Sequence, residues 1–285
     1  MSTIIDGKAI AAESSEMLRE KIKTFQEEYG TVPGLAVILV GDDPASQVYV
    51  RNKCKKCTEL GITSFIYSRP DAEAETEEHL IDLIHELNAD PAIHGILVQL
   101  PLPKQINAVK VLREISPAKD VDAFHPTNLG KLVEGSWKYA PCTPQGIMHM
   151  LRHGGIEIAG KEVVIVGRSN IVGKPLAMLM LHADATVTIC HSKTKNLSEV
   201  CRRADILVTA IGKPKFFTAD FIKPGAVVID VGINRDENGK LCGDVDFENV
   251  KDVAGWITPV PGGCGPMTIL ELMQNTFTAA CSSLE

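Results

Sequence analysis

Four polar side chains in the first half of the chain have the residue types and the spacing to do chemistry. Tyr49 and Lys53 are four residues apart in a predicted helix, so both project from the same face. Gln99 lies in the apolar run Gly95–Leu100, where a buried amide must find hydrogen-bond partners. Asp122 follows in an irregular stretch, where an ordered carboxylate can meet a ligand. The Tyr–Lys spacing alone is also typical of a solvated helix face, whereas the carboxyl end of a parallel strand, where Gln99 lies, is where α/β proteins bind ligands.

A glycine turn in the second half of the chain has the pattern of an anion-binding site. The apolar strand Glu162–Val166 runs directly into Gly167-Arg-Ser-Asn-Ile-Val-Gly-Lys-Pro175, where a helix is predicted to begin. Backbone N–H groups at such a turn and the helix dipole both favour anions, so the segment predicts a dinucleotide pyrophosphate site. An ordinary strand–helix turn is the alternative, because the spacing is Gly-x-Ser-x-x-x-Gly and not Gly-x-Gly-x-x-Gly. The predicted contacts are Gly167, Arg168, Ser169 and Gly173.

The second strand of this half, Ala185–Cys190, indicates which dinucleotide binds. An NAD enzyme normally places an acidic residue about 20 residues past the glycine turn, where it holds the ribose 2′-hydroxyl. This chain has His191-Ser-Lys193 at that place and no carboxylate. Ser192 can donate a hydrogen bond to a phosphate and Arg168 can add positive charge, so the pattern favours NADP. In the alternative, these residues only cap a strand at the surface.

Helix-period and strand-like segments alternate along the whole chain and must position these groups. Helices are predicted over residues 8–28, 44–60, 75–88, 143–153 and 266–281, with the fourth capped by Thr143. Strands are predicted over residues 35–40, 62–68, 95–100, 162–166, 185–190, 206–211, 226–231 and 256–260. The alternation predicts an α/β fold with parallel sheets in two domains, joined by an irregular stretch over residues 116–142. The N-terminal domain covers residues 1–142, and a Rossmann-type domain covers residues 143–264.

Composition restricts the class of protein. The 285 residues are 45% hydrophobic and 23% charged, which is ordinary for a globular protein, and the length favours two domains. With 29 basic and 36 acidic residues the net charge is −7, which disfavours nucleic acid as a partner. The apolar runs are far shorter than the roughly 18 residues that cross a membrane, and the N-terminus lacks a signal-peptide pattern. We therefore predict a cytoplasmic protein without a membrane partner.

The cysteines and histidines predict no metal site. The eight cysteines are expected to be reduced thiols in a chain of this length without an export signal. Cys54 and Cys57 form the one close pair, and neither a second pair nor spaced histidines complete a zinc site. His149 and His153 are four residues apart but lack the glutamate of a zinc-protease motif. A metal-free mechanism is therefore expected.

Five motifs occur in one order along the chain and together resemble a single family. They are Tyr49-Val-Arg-Asn-Lys53, Gly95-Ile-Leu-Val-Gln-Leu-Pro-Leu-Pro103, Lys119-Asp-Val-Asp122, Gly167-Arg-Ser-Asn-Ile-Val-Gly-Lys-Pro175 and Pro259-Val-Pro-Gly-Gly-Cys-Gly-Pro-Met-Thr268. Over essentially its whole length the sequence closely resembles the bifunctional methylenetetrahydrofolate dehydrogenase/methenyltetrahydrofolate cyclohydrolase family. The resemblance implies a homodimeric, cytoplasmic enzyme of one-carbon metabolism, which supports purine, methionine and histidine biosynthesis.

The resemblance also implies the reactions, the domain arrangement and the roles of residues. With NADP the family oxidises 5,10-methylenetetrahydrofolate to the 5,10-methenyl compound, which it then hydrolyses to 10-formyltetrahydrofolate. The C-terminal helix, residues 265–285, is implied to complete the N-terminal catalytic domain, and a cleft to separate it from the NADP-binding domain. Lys53 would be the catalytic lysine, Gln99 its partner and Asp122 the ligand of the pterin ring. The folate contacts would be Tyr49, Gln99, Leu100, Pro101, Asp122, Pro261, Gly262 and Gly263. The NADP contacts would be Gly167, Arg168, Ser169, Ser192 and Ile233.

Two residues depart from the family pattern. Ala123 stands where the family commonly has a glycine, and alanine does not reach a positive φ cheaply, which bears on the aim of Asp122. Cys264 stands where the family usually has valine, and as a small apolar residue it is expected to pack similarly.

Two other functions remain open from the sequence. One is an NADP-dependent dehydrogenase of another small substrate, such as a shikimate-type or amino-acid-type enzyme. It gives no reason for Gln99 or for the loop over residues 259–268. The other is a catalytically silent nucleotide-binding regulator. The presence of four predicted site residues argues against it: Tyr49, Lys53, Gln99 and Asp122. The folate enzyme is therefore the favoured prediction.

Overall fold

The computed structural model describes residues 2–284 of the chain. Its strands, in chain order, are β1 (Thr3–Ile4), β2 (Gly34–Val40), β3 (Thr63–Arg69), β4 (Gly95–Val98), β5 (Glu162–Val166), β6 (Thr186–Cys190), β7 (Ile206–Thr209), β8 (Val227–Asp230), β9 (Asn234–Arg235), β10 (Leu241–Cys242) and β11 (Trp256–Ile257). Its α-helices are α1 (Gly7–Tyr29), α2 (Pro44–Leu60), α3 (Glu77–Ala89), α4 (Ala108–Arg113), α5 (Pro126–Glu134), α6 (Cys142–His153), α7 (Gly173–His182), α8 (Leu197–Cys201), α9 (Phe247–Val250) and α10 (Cys264–Ser282). A short 3-10 helix covers Ala219–Phe221.

The described residues form two compact units. The six-stranded unit contains the residues up to Ala12 together with Pro141–Thr268. The three-stranded unit contains Glu13–Ala140 together with the residues from Ile269 onward. The predicted domain over residues 1–142 differs from this grouping at its N-terminal end, because β1 pairs with β11 in the six-stranded sheet. A pairing of two-residue strands so far apart in sequence leaves no local pattern.

A parallel sheet of order β1-β11-β8-β7-β5-β6 forms the centre of the six-stranded unit. Strands β5, β7 and β8 are buried almost throughout, as expected where both faces of a parallel sheet are covered. The register aligns Val166 of β5 with Cys190 of β6 and with Thr209 of β7, and aligns Thr209 with Asp230 of β8. The carboxyl ends of four strands therefore lie in one row, at the edge where parallel sheets bind ligands. A two-stranded antiparallel hairpin, β9–β10, follows β8.

The three-stranded unit is built on a parallel sheet of order β3-β2-β4. Strands β2 and β4 are wholly buried, which explains their continuous apolar sequences. Leu80 and Ile84 of α3 and Val111 of α4 are fully buried in the core that covers one face of this sheet. Strand β3 lies at the sheet edge, and its Ile66 is 55% exposed.

Helix α2 carries Tyr49 and Lys53, and the local sequence determines where it begins and ends. The Asp43 carboxylate accepts a hydrogen bond from Ser46 N at 2.8 Å and so caps the first turn. Gly61 ends the helix with a φ of 79°, a left-handed conformation that glycine adopts cheaply. The two side chains therefore lie within a helix with defined ends.

The structure ends three strands earlier than predicted. Strand β7 ends at Thr209 rather than at residue 211, and β11 ends at Ile257 rather than at residue 260. Strand β4 ends at Val98, so Gln99 and Leu100 lie just beyond it and not inside it as predicted. Gln99 N still donates to Ile38 O at 2.9 Å. The ladder then stops because Pro101 has no N–H to donate.

The structure also corrects two predictions around residues 116–142. This stretch was expected to be irregular but contains helix α5. His125 Nδ1 accepts from Thr127 N at 3.1 Å and caps α5, and Gly135 ends it with a φ of 92°. A histidine cap is a weak sequence signal, so the pattern was missed. Helix α6 begins at Cys142 rather than after a Thr143 cap, with Pro141 in the N-cap position.

Candidate active site

The amine of Lys53 and the amide of Gln99 meet in the three-stranded unit. Lys53 Nζ donates to Gln99 Oε1 at 3.0 Å, and both side chains are half-buried. Gln99 Nε2 donates to Leu100 O at 2.8 Å, which fixes the orientation of the amide. The lysine therefore has a defined acceptor that brings no negative charge with it.

Three residues near this pair in the sequence have side chains that solvent can reach. They are Tyr49, Leu100 and Pro101. Tyr49 lies one turn before Lys53 on the same face of α2 and is 38% exposed. Leu100 is half-buried and Pro101 is exposed. An accessible ring one turn from the amine is available for packing against a flat ligand.

Asp122 lies in a turn whose backbone is strained. It is half-buried between Val121 and Ala123, which are 0% and 1% exposed. Ala123 has a φ of 57°, the left-handed conformation that the family glycine would adopt more cheaply. The turn is held by Ala123 N donating to Asp120 O at 3.0 Å and by Asn275 Nδ2 donating to Val121 O at 2.8 Å. These hydrogen bonds hold the turn that positions Asp122 in the left-handed conformation, even though residue 123 is alanine and not glycine.

Asp120, two residues earlier, is buried and accepts hydrogen bonds from residues inside the fold. It is 2% exposed, and its Oδ2 accepts from His125 N at 2.8 Å and from Asn128 Nδ2 at 2.9 Å. Burial raises the pKa of Asp120, and these donors oppose the rise. Of the two carboxylates, the more accessible Asp122 is therefore the candidate for a ligand.

The turn after β5 is packed so closely that only glycine fits at two positions. A Cβ at Gly173 would lie 2.0 Å from Gly167 O, and a Cβ at Gly167 would lie 2.4 Å from Ala210 O. Ser169 Oγ accepts from two backbone N–H groups at 3.1 and 3.4 Å, and Arg168 is exposed. Gly173 is the first residue of α7, so the turn opens onto a helix N-terminus. This backbone forms a cradle of the kind that fits a dinucleotide pyrophosphate.

Ser192 and Ile233 lie at two other carboxyl ends of the same sheet. Ser192 is exposed in the turn after β6, where Lys193 N donates to His191 Nδ1 at 3.2 Å. Ile233 follows β8 and is 53% exposed. The structure therefore places the predicted cofactor residues along one edge, after β5, β6 and β8.

The loop over residues 261–263 follows β11 and depends on its glycines. Gly262 has a φ of 107°, and its carbonyl accepts from Lys8 N at 2.9 Å. A Cβ at Gly263 would lie 2.6 Å from Pro259 O. Pro261 is exposed.

Cys264, at the start of α10, is a buried thiol. It is 7% exposed, and Sγ lies 3.3 Å from Asp230 O, to which it donates. Burial raises the pKa of this thiol well above its usual range. Cys264 therefore packs as an inert small residue.

The sequence prediction missed two aspartates at the carboxyl edge of the six-stranded sheet. Asp230 and Asp244 are 3% and 0% exposed. The available signal was a carboxylate at the end of the apolar strand Val227–Asp230, the same kind of signal that singled out Gln99. Both lie at the edge that carries the glycine turn.

Three kinds of feature are absent from residues 2–284. No three or more His, Cys, Asp or Glu side chains in this range are grouped so that they could hold a metal ion. No helix in the range is long and apolar enough to cross a membrane. All eight cysteines lie in the range, and none forms a disulfide.

The fold and these sites define a dinucleotide-dependent α/β enzyme with a second, lysine-bearing domain. Residues 5–122 match the catalytic domain described as tetrahydrofolate dehydrogenase/cyclohydrolase, and residues 141–284 match its NAD(P)-binding domain. The chain belongs to the tetrahydrofolate dehydrogenase/cyclohydrolase family.

Relatives and solved structures agree with this membership over the full length. The bifunctional protein FolD of Streptococcus pneumoniae serotype 4 is 59% identical over 285 residues, which is 100% of this chain and 99% of the relative. A crystal structure of the FolD dehydrogenase/cyclohydrolase of Campylobacter jejuni is 49% identical with a TM-score of 0.95, covering 99% of each chain. The Trypanosoma brucei FolD structure, complexed with NADP cofactor and inhibitor, is 40% identical with a TM-score of 0.94, covering 100% of this chain and 99% of that one.

These findings confirm the predicted family, the two-domain α/β fold class and the enzyme class. They likewise confirm the bifunctional dehydrogenase/cyclohydrolase activity in one-carbon metabolism and NADP as the cofactor.

Proposed function

We propose that Lys53 and Gln99 are the proton-handling pair with which this enzyme hydrolyses 5,10-methenyltetrahydrofolate, the product of its NADP-dependent oxidation of the methylene compound. The observation that carries the proposal is the 3.0 Å hydrogen bond from Lys53 Nζ to Gln99 Oε1. The paired amide orients the amine, and a carboxylate in its place would hold the lysine as an ammonium ion.

The proposed NADP site lies at the carboxyl edge of the six-stranded sheet. The backbone around Gly167 and Gly173 would hold the pyrophosphate, because this turn opens onto the N-terminus of α7. Its close packing requires glycine, since a Cβ at Gly173 would lie 2.0 Å from Gly167 O. Ser192 and Arg168 are exposed and would bind the 2′-phosphate, and Ile233 would supply an apolar contact. When bound, NADP accepts the hydride that leaves the one-carbon unit.

In the hydrolytic step Lys53 handles the proton of the attacking water. Water adds to the methenyl carbon, and the neutral Lys53 amine accepts a proton as the new C–O bond forms. The amine then passes this proton to the ring nitrogen whose C–N bond breaks, which restores the amine. The second proton of the water leaves to solvent as its oxygen becomes the carbonyl of the 10-formyl group. Gln99 Oε1 accepts from Nζ throughout and keeps the nitrogen aimed.

The folate itself is proposed to contact residues that carry no part of the proton transfer. Asp122, half-buried beside Ala123, would accept hydrogen bonds from the pterin ring. Tyr49, 38% exposed one turn from Lys53, would pack on its face. Leu100, Pro101 and the loop over residues 261–263 stay predicted folate contacts.

Two properties implied by the resemblance are part of the proposal. We propose a homodimer, and the edge strand β3, with Ile66 55% exposed, offers one unpaired surface where a second copy could bind. We also propose a cytoplasmic location.

The test separates the two reactions in one protein. Wild-type enzyme is incubated with 5,10-methylenetetrahydrofolate and NADP while NADPH and formyl product are followed together. Lys53→Met is then assayed for oxidation and, starting from the methenyl compound, for hydrolysis. We expect hydrolysis to fall at least about 100-fold and oxidation to fall less, because only hydrolysis must activate water.

The matched control is Lys56→Met, which removes a half-buried lysine from the same helix whose ammonium is paired with Glu59 at 2.7 Å. It should leave both reactions near wild type. Hydrolysis by Lys53→Met at the wild-type rate would show that the amine has another role.

A further inference from the structure

The two buried aspartates that the sequence prediction missed are fully occupied by hydrogen bonds. Asp244 Oδ2 accepts from Ile211 N at 2.6 Å and from Gly212 N at 3.1 Å. Asp244 Oδ1 accepts from Lys213 N at 2.8 Å and from Asn234 Nδ2 at 2.9 Å. One carboxylate thus binds three consecutive backbone N–H groups, those of residues 211–213, which we call the β7 loop.

Asp230 fixes Asp244 in turn. Its Oδ2 accepts from Val245 N at 2.9 Å, and its Oδ1 accepts from Asp244 N at 3.0 Å and from Gly232 N at 2.9 Å. Thr209 Oγ1, at the end of β7, also donates to Oδ1 at 3.3 Å. Burial, with a smaller contribution from the Asp244 charge, raises the pKa of Asp230 to about 6 against these donors. The two carboxylates therefore connect the ends of β7 and β8 to the segment after β10.

Two glycines leave the space that this arrangement needs. A Cβ at Gly243 would lie 1.8 Å from Asp230 Oδ2, and a Cβ at Gly232 would lie 2.4 Å from Asp244 Oδ1. Backbone and carboxylate can approach this closely only where no side chain intervenes. Glycine at both positions is therefore required for these contacts.

The β7 loop lies next to the glycine turn. Strand β7 is the neighbour of β5 on the side opposite β6, and the Cβ position of Gly167 lies 2.4 Å from Ala210 O, one residue before the loop. In a nucleotide-binding parallel sheet the dinucleotide crosses the carboxyl edge with its pyrophosphate at the glycine turn. With the 2′-phosphate at Ser192, after β6, the nicotinamide half extends to the β7 side.

We propose that Asp244 is a positioning residue for the nicotinamide half of NADP, acting through the backbone of the β7 loop. This inference rests on the cofactor orientation proposed above. In an asparagine at this position one oxygen is replaced by an NH2 donor, so at least one of the three N–H groups loses its acceptor and faces another donor, and the loop takes another path. The adenosine half, held after β5 and β6, does not depend on that loop.

The test compares Asp244→Asn with wild type for binding of two ligands by calorimetry, without turnover. One ligand is NADP, and the other is adenosine 2′,5′-bisphosphate, which has the 2′-phosphate but no nicotinamide. We expect NADP to bind at least about tenfold more weakly and the fragment to bind equally well. Amide hydrogen exchange in residues 211–213 should become faster, and the cofactor-independent hydrolysis of the methenyl compound should stay unchanged.

Equal binding of NADP by both proteins would overturn the proposal, and so would an equal loss of both ligands, which would make the role a purely structural one. A loss confined to the fragment would reverse the proposed orientation and overturn it too.

The control is Asp246→Asn, two residues further along and half-buried, which should change the binding of neither ligand. If Asp244→Asn does not fold, Asn234→Ala removes one donor from Asp244 and should give a smaller loss in the same direction. The affinities of the two ligands are measured without turnover. Failure of the wild-type enzyme to turn over its substrate would therefore contradict the function proposed for the enzyme and not this inference.

Discussion

At the scale of single residues, two of the predicted site residues, Gln99 and Ser192, are uncharged at places where a charged residue would change the chemistry. Gln99 offers Lys53 an acceptor at 3.0 Å without a negative charge. The turn after β6 offers Ser192 where an NAD enzyme has a carboxylate. In both places the absence of an acidic residue is the informative feature. Each can be tested by one substitution: Gln99→Glu adds a negative charge, and Ser192→Ala removes one hydrogen bond.

Gln99→Glu should move the pH dependence of hydrolysis to higher pH. A carboxylate beside Lys53 favours the ammonium form, so the neutral amine becomes available only at higher pH, and the rate near neutrality should fall at least about tenfold. The measurement is the pH profile of methenyl hydrolysis. Gln99→Met, which removes the hydrogen bond without adding charge, is the control: it should lower the rate at every pH without moving the profile. Identical profiles for the Glu variant and wild type would contradict a proton-handling role for Lys53.

Ser192→Ala should narrow the preference for NADP over NAD. The hydroxyl is exposed after β6, and loss of one hydrogen bond to a phosphate should weaken NADP binding by about tenfold while NAD is unaffected. The measurement is the ratio of kcat/KM for the two cofactors. Ser198→Ala, on the neighbouring helix α8, is the control and should keep the wild-type ratio. An unchanged ratio in Ser192→Ala would place the 2′-phosphate elsewhere.

At the scale of elements, continuous apolar runs and local caps were predictable, whereas contacts distant in sequence were not. Residues 35–40 and 162–166 read as buried strands because both faces of a parallel sheet are covered, and the structure has strands there. Helix α5 was missed because a histidine cap carries little signal, and β1 because its partner β11 is distant in sequence. Gln99 was found as a polar residue in an apolar run. Asp244 has no such context and is recognisable only once the fold brings the β7 loop to it.

Strands β2 and β4 meet at a histidine that should make this sheet sensitive to acid. His94 is 5% exposed, its N donates to Gly34 O at 2.9 Å, and its Nδ1 accepts from Gly34 N at 3.0 Å. Burial, with a smaller contribution from Lys119, lowers the pKa of His94 below its ordinary 6.5. The folded state therefore keeps the ring neutral at a pH where the unfolded chain already binds a proton. Stability is fully present above pH 6.5 and is lost as the pH falls below that value.

His94→Asn should remove this acid sensitivity, because the Asn oxygen can accept from Gly34 N but does not titrate. Between pH 6.5 and 5.5 the free energy of unfolding of wild type should fall by up to about 1 kcal/mol more than that of the variant. The measurement is a series of urea titrations across this range. Above pH 7.5 the two curves should differ by a constant offset, which serves as the internal control. Parallel curves throughout would show that His94 binds the same number of protons folded and unfolded.

At the scale of the whole molecule, the fold protects most of its thiols from reaction. Six of the eight cysteines are buried, and only Cys54 and Cys281 are half-buried. Since the thiolate is the reactive form, burial protects a thiol twice, by excluding the reagent and by keeping the proton on sulfur. Burial raises the pKa of Cys57 and of Cys201 to about 12. The pattern makes reactivity a readout of folding for both units, with Cys57 in the three-stranded and Cys201 in the six-stranded unit.

A maleimide reagent at pH 7.5 should therefore label native protein only at Cys54 and Cys281, and slowly at Cys54, whose pKa burial also raises. Cys57 and Cys201, which are both 0% exposed, should react only at the rate at which their unit unfolds, because core elements open only with global unfolding. Peptide mass spectrometry over a time course measures each position, and protein denatured in urea, in which all eight react at once, is the control. Labelling of Cys57 and Cys201 on separate time courses would give the unfolding rate of each unit. Labelling of either before any loss of helical circular dichroism would contradict the packing described for that unit.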